Sequence, residues 1–158
     1  VINRPAMTID LLPTIARLTN SQLPAKKIDG KDMSYLMLED SNESLHHDAY
    51  YFYYKNNELH GILSGDGRWK LYLPHVYRSL NGRTGRDDGM PIDYDQNDMV
   101  LNLYNLEEDI RETTDVSAEY PEIVDHLMEH AESAREALGD NLTGRKGAEV
   151  REVGTITN

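Results

Sequence analysis

Cysteine is absent from the 158 residues. That excludes disulfides, thiolate nucleophiles and cysteine–metal sites within the chain, and it leaves the redox compartment open. Phenylalanine and tryptophan occur once each against ten tyrosines, so the aromatic side chains available for a core are mostly phenolic. Hydrophobic content is 39%, low for a compact domain. No apolar run is long enough to span a bilayer and no signal-peptide pattern opens the chain, so no membrane span is expected. The length fits one domain or a piece of a larger protein. The chain opens on Val1 and enters a helical pattern almost at once, which reads as a cut edge.

Acid dominates what is present. Asp and Glu number 28 against 16 Lys and Arg, a formal net charge of -12 and a pI near 4.8. Such a balance argues against nucleic acid as a partner. One stretch breaks the pattern: residues 67–86 contain no acid but carry Arg68, Lys70, Arg78, Arg83, Arg86 and His75. A cationic island in an anionic chain points to something negative opposite it, either an anionic ligand or an acidic surface of another domain.

The residue pattern predicts an α+β fold. Residues 8–18 read as a short helix, with Asp10 able to cap it, Pro13 in its first turn, and Ile9, Leu12, Ile15 and Ala16 on one face. Asp29-Gly30 marks a turn before a short helix at 34–38, and residues 39–48 read as a solvated loop. Residues 49–55 (AYYFYYK) have strong strand propensity, Asn56-Asn57 signals a hairpin, and 59–64 is the second strand. In a third strand, 68–73, Trp69, Leu71 and Leu73 alternate with Arg68, Lys70 and Tyr72, giving one apolar and one wet face. Pro74 ends it. Residues 76–99 show no clear period and read as a functional loop or a disordered segment. Residues 100–106 form a fourth strand. Pro121 and Gly139 bracket a long helix, 121–138, whose Ile123, Val124, Leu127, Met128, Ala131, Ala134 and Leu138 form one apolar stripe. The expected architecture is an antiparallel sheet of about four strands packed by this C-terminal helix, followed by an irregular tail.

No complete catalytic constellation is visible, and no catalytic residue is assigned to the chain. It has no Gly-rich phosphate loop, nucleophile elbow or paired-histidine metal motif. His46-His47 sits in a polar stretch, and neighbouring residues point in different directions, so a solvated loop is expected rather than a metal site. Glu107, Glu108 and Asp109 read as a solvated turn. The cluster at 74–78 is the candidate binding site, with His75, Tyr77 and Arg78 as its substrate-binding residues. The Arg78 fork matches sulfate, phosphate or carboxylate, His75 adds a donor when protonated, and Tyr77 can stack on a sugar face. The plain alternative is that these residues brace the following loop against an acidic neighbour. Two glycosylation sequons, at Asn42 and Asn141, read as chance.

Five stretches, in order and covering most of the chain, resemble the C-terminal region of a sulfatase of the arylsulfatase type in the alkaline-phosphatase-like superfamily. Residues 8–18 (TIDLLPTIARL) resemble the family's S-x-x-D-L-x-P-T helix, and 28–32 (IDGKD) its DG turn. Residues 67–71 (GRWKL) resemble its G-x-W-K-L strand, 103–112 (LYNLEEDIRE) its L-Y-D/N-L-x-x-D-P-x-E segment, and 120–124 (YPEIV) its final helix. The 74–78 cluster is similar to a P-H-x-Y-R variant. Two positions depart: Leu63 stands where an Arg is usual, and Ile110 replaces a Pro.

The resemblance implies that residues 1–45 are the end of the large sulfatase domain and a linker, 46–140 the C-terminal subdomain, and 141–158 the irregular tail. It implies hydrolysis of an aryl sulfate or a sulfated sugar by the chain's own N-terminal catalytic domain, with this segment as scaffold and basic rim. The formylglycine nucleophile and the calcium ion are expected in that domain, with neither held here. Exposed apolar surface is expected on the first helix, where the large domain would pack. A periplasmic or secreted, bacterial protein is favoured. Two other functions remain open: a free-standing module binding anionic glycans, and the tail of a related phosphoesterase or phosphonate hydrolase.

Overall fold

The computed structural model describes residues 4–38 and 47–151. Its centre is a four-stranded antiparallel sheet crossed on one face by a helix, as the residue pattern predicts. Strand β1 (Ala49–Tyr54) turns through Asn56 and Asn57 into β2 (Glu58–Ser64). Both asparagines have positive φ, 56° and 59°, a conformation Asn tolerates better than other side chains. Strand β3 (Trp69–Tyr72) pairs with β2 on one side. On its other side it pairs with a strand that enters 30 residues later in the chain than its own end.

One irregularity sets the sheet's faces. Phe52 pairs with Gly61 but Tyr53 pairs with Leu59, so His60 is an extra residue in β2. Residues 59 and 62 would face opposite ways in a regular strand. The bulge restores phase, and Leu59 and Ile62 are both fully buried in the core. Across the ladder Ile62 pairs with Leu71, and Leu71 with Leu103, so one apolar row crosses three strands.

The long helix covers that row. It spans Pro121–Leu138, starts on a proline that lacks an N–H to satisfy, and stops at Gly139 with φ 82°. Leu127, Ala131 and Ala134 are buried against the sheet, with Ile123, Val124 and Met128 beside them. Trp69 meets Tyr120 at 4.8 Å between ring centroids.

The segment expected to be a loop or disordered carries a second ladder at its two ends. Strands β4 (His75–Ser79) and β5 (Asp95–Met99) pair antiparallel in a two-stranded arm. The β5 sequence, DQNDM, has no apolar alternation because four of its residues are polar, so nothing marks it as a strand. The expected strand at 100–106 shrinks to β6 (Asn102–Asn105), which is the partner of β3. No helix among the described residues is long and apolar enough to cross a membrane.

The segment from 141, expected to be irregular, begins with a turn that closes a short ladder between β7 (Gly139–Asp140) and β8 (Arg145–Lys146). Asp140 anchors it. The fully buried carboxylate accepts from Arg135 Nε at 2.9 Å, from the Leu142 N–H at 3.0 Å and from the Leu59 N–H at 3.3 Å. Helix, β2 and terminal hairpin thus share one acceptor. Tyr53 donates to the Gly139 carbonyl at 2.8 Å. Its burial, with the Asp140 charge nearby, pushes the phenol up to about 12.

The N-terminal segment is organised by a second buried acid. A 3-10 turn, Thr8–Asp10, leads into α1 (Leu11–Thr19), and α2 (Ser34–Leu38) follows. Asp10 makes no side-chain cap to α1. It accepts instead from the Met7 N–H at 3.0 Å and the Lys31 N–H at 2.9 Å, and pairs with His47 Nε2 at 2.9 Å. A Cβ on Gly30 would lie 2.0 Å from the Ile9 carbonyl oxygen, so only glycine lets this turn approach. Within α1 the buried residues are Pro13, Thr14 and Ala16, while Leu11, Leu12, Ile15 and Leu18 are exposed.

Two outcomes follow from the buried acids. Asp140→Ala leaves Arg135 and two backbone N–H groups without their acceptor, and should cost about 3 kcal/mol in urea unfolding. A loss below about 1 kcal/mol would refute the anchor. For Asp10, burial pushes the carboxyl up, but the Lys31 N–H, His47 and the Met7 N–H outweigh it, so its pKa is lowered from 3.8. The unfolded chain then binds the proton more readily. The stabilisation is present above 3.8 and is lost as pH falls through the folded value. Asp10→Asn should lower the urea midpoint near neutrality and flatten its fall between pH about 5 and about 3; an unchanged acid limb would contradict it.

Candidate functional site

Strand β4 follows from the rigid exit at Pro74, and alternation places His75 and Tyr77 on one side and Val76 and Arg78 on the other. The structure brings Tyr77 and Arg78 to a common cleft of about 250 Å³, with Tyr54, Lys55, His60, Val76 and Gln96. Gln96 is the β5 partner of Arg78. His75 is not among the lining residues. It is buried one layer behind them, its ring stacked on His60 at 3.8 Å between centroids and 20° between planes.

Hydrogen bonding fixes which ring nitrogen of His75 carries a proton. Its Nδ1–H donates to the Leu73 carbonyl at 2.6 Å. Burial pushes its pKa below the ordinary 6.5, and His60 adds to this, outweighing the carbonyl contact. The shift disfavours the protonated ring. His60 in turn contacts Glu58 Oε2 at 3.1 Å through Nε2 and lies 5.3 Å from the Tyr54 ring.

Most of the cationic island finds its acids within this chain. Arg68 pairs with Glu107 at 3.3 Å, Lys70 with Glu112 at 2.7 Å, and Arg83 with Asp95 at 3.1 Å. Burial pulls the Lys70 ammonium down, but the Glu112 carboxylate and the Tyr72 hydroxyl more than offset it, and its pKa is raised. Glu112 does this from a positive φ of 56°, also accepting from Tyr72 at 2.8 Å, and so pins the 107–116 loop over the sheet. Arg78, Arg86 and Lys55 form no ion pair among the described residues.

Sequence reasoning missed Lys55, His60 and Gln96. Lys55 opens the β1–β2 turn and His60 is the bulge residue, and neither position is marked by residue type. Their meeting with β4 depends on how the arm lies against the sheet. His47, expected in a solvated loop, is buried against Asp10 and edge-on to Tyr50; His46 lies outside the described residues. Asp109 caps its own turn, accepting from the Thr113 and Thr114 N–H groups at 2.6 and 2.8 Å.

A larger hollow of about 480 Å³ lies beside α1, lined by Pro13, Ala16, Arg17, Leu23, Ile28 and Asp32, away from the cationic arm. On the outer side of α3, His126 and His130 meet edge-to-face at 4.9 Å. Among the described residues no group of three or more His, Asp or Glu side chains could hold a metal ion. The sequence contains no cysteine and no Ser-x-Pro-x-Arg stretch.

No protein-family model matches the chain. Steryl-sulfatase from Mus musculus is 33% identical over 75 residues, which cover 46% of this chain and 12% of the mouse protein. A solved structure of BT4656 in complex with its substrate D-glucosamine-2-N,6-O-disulfate aligns over 80% of this chain and 23% of that one, at 19% identity and a TM-score of 0.49. The matched stretch amounts to about an eighth of the mouse enzyme's length. Over the 75 matched residues the chain is similar in sequence to a sulfatase.

Proposed function

We propose that the chain is the C-terminal portion of a sulfatase acting on an aryl sulfate or a sulfated sugar, and that it supplies scaffold and a basic rim to the substrate pocket. The carrying observation is the 33% identity to steryl-sulfatase, joined to a cleft where Arg78 and Lys55 have no acidic partner among the described residues. Arg78 offers a charge-assisted fork to a sulfate oxygen, Tyr77 a face for a ring, and His75 supports both from behind. The cationic cleft on an acidic protein would draw an anionic substrate to one place.

On this reading the nucleophile, a formylglycine, and the calcium ion belong to a large domain preceding the segment. The exposed Leu11, Leu12, Ile15 and Leu18 are the face that domain covers. The boundaries follow: 1–45 joins the two domains and 46–140 is the C-terminal subdomain. A periplasmic or secreted location fits such an enzyme.

In the full-length enzyme Arg78→Ala should raise KM by about tenfold or more with little change in kcat, the cost of one lost charge-assisted hydrogen bond. Tyr77→Ala should act in the same direction. The 158-residue chain alone should hydrolyse no sulfate ester. Kinetics untouched by both substitutions would overturn the rim, and turnover by the isolated chain would overturn the division of labour.

A further inference from the structure

The β4–β5 arm is built apart from the main sheet: its ladder pairs only with itself. At its root, the His75 ring lies flat on the His60 ring, and both side chains are largely shielded from solvent. His60 is there because of the bulge, which turns the inserted residue away from the core. Two parallel imidazoles at 3.8 Å attract as neutral rings and repel as cations, with little water between them to screen the charge.

We propose that the His60–His75 stack is an acid-sensitive latch between the arm and the sheet, and that His60 is a positioning residue for Tyr77 and Arg78. The groups around the stack favour only one charge. Among the described residues Glu58 on β2 is the carboxylate in contact, and it contacts His60. Tyr54 on β1, Tyr72 on β3 and Tyr77 on β4 contribute neutral rings at 5.3 to 6.4 Å. Lys55 and Arg78 in the adjoining cleft are cations, and Gln96 on β5 is uncharged. Charged, the two rings would face each other with cations on the near side and only Glu58 as an acid among the described residues.

The lowered pKa of His75 agrees in sign. A histidine depressed in the folded state holds its stabilising arrangement above the unfolded value of 6.5 and loses it as pH falls through the folded value. The arm therefore sits closed at neutral pH and loosens on acidification. Its consequence for substrate rests on the rim reading of Arg78, whereas the latch itself does not.

Hydrogen exchange followed by mass spectrometry on the full-length protein tests it without substrate. After correction for intrinsic exchange, protection across residues 75–99 should fall by about tenfold between pH about 7.5 and about 5, while β2 and β3 hold. His60→Phe keeps a flat ring that cannot charge, and should reduce the fall, leaving the part due to burial of His75. The latch is overturned if the arm and sheet respond alike to pH in the native protein, or if His60→Phe shows the same fall. Should His60→Phe not fold, imidazole proton shifts in the native protein decide. Two linked titrations with one well below 6.5 support the latch, and two independent ones at ordinary values overturn it. Exchange can succeed while rim kinetics fail, and the reverse, so the two readings fall separately.

Discussion

A single inserted residue, His60, lets β2 bury Leu59 and Ile62 on the same face while presenting an imidazole on the other. The apolar side of the sheet depends on that phase shift. With it, Ile62, Leu71 and Leu103 line up across three strands and Leu59 fills the end of the core beneath α3. The outer side depends on it too, because the inserted ring is what His75 stacks upon. Core and cleft are therefore two consequences of one local irregularity, and neither could be moved without the other.

Charge is arranged by the same logic of local partners. The chain is strongly acidic, yet its acid-free stretch does not float in that field. Three of its cations are consumed by Glu107, Glu112 and Asp95, which fasten the loop after β6 and the two strands of the arm. Such pairs are partly exposed and contribute little energy singly. Their effect is to leave Arg78, together with Lys55, as charge available at the cleft. A cation beside a hollow, surrounded by an acidic surface, is a local target for an anion rather than a general polyanion-binding face.

Two buried carboxylates hold the ends. Asp10 gathers the turn at Gly30, the start of α1 and His47; Asp140 gathers α3, β2 and the terminal hairpin. Each accepts from several donors, which is what makes an ionised group tolerable away from water. Between them they fix segments that have too few apolar side chains to hold by packing. The face of α1 turned outward is the exception: its leucines and isoleucine point to solvent because its buried side is made by Asp10, Pro13, Thr14 and Ala16.

What the sequence determined by itself was the frame. Alternation of Trp69, Leu71 and Leu73, the Asn56-Asn57 turn, and the 3.6-residue stripe from Pro121 to Gly139 are local patterns. A local pattern is legible because the periods of strand and helix are set by the backbone. The stretches that resemble sulfatase motifs were legible because they are short and in order. Tertiary structure alone decided the rest. The all-polar β5 is a strand only because β4 lies beside it. His47 read as part of a solvated loop and His75 as a substrate-binding residue, and both are buried, since burial is a property of what comes back to cover a position. Lys55, His60, Arg78 and Gln96 share a cleft across more than 40 residues of chain because the bulge and the arm fold onto one another. Propensity speaks for neighbours in sequence, whereas a binding site is made by neighbours in space.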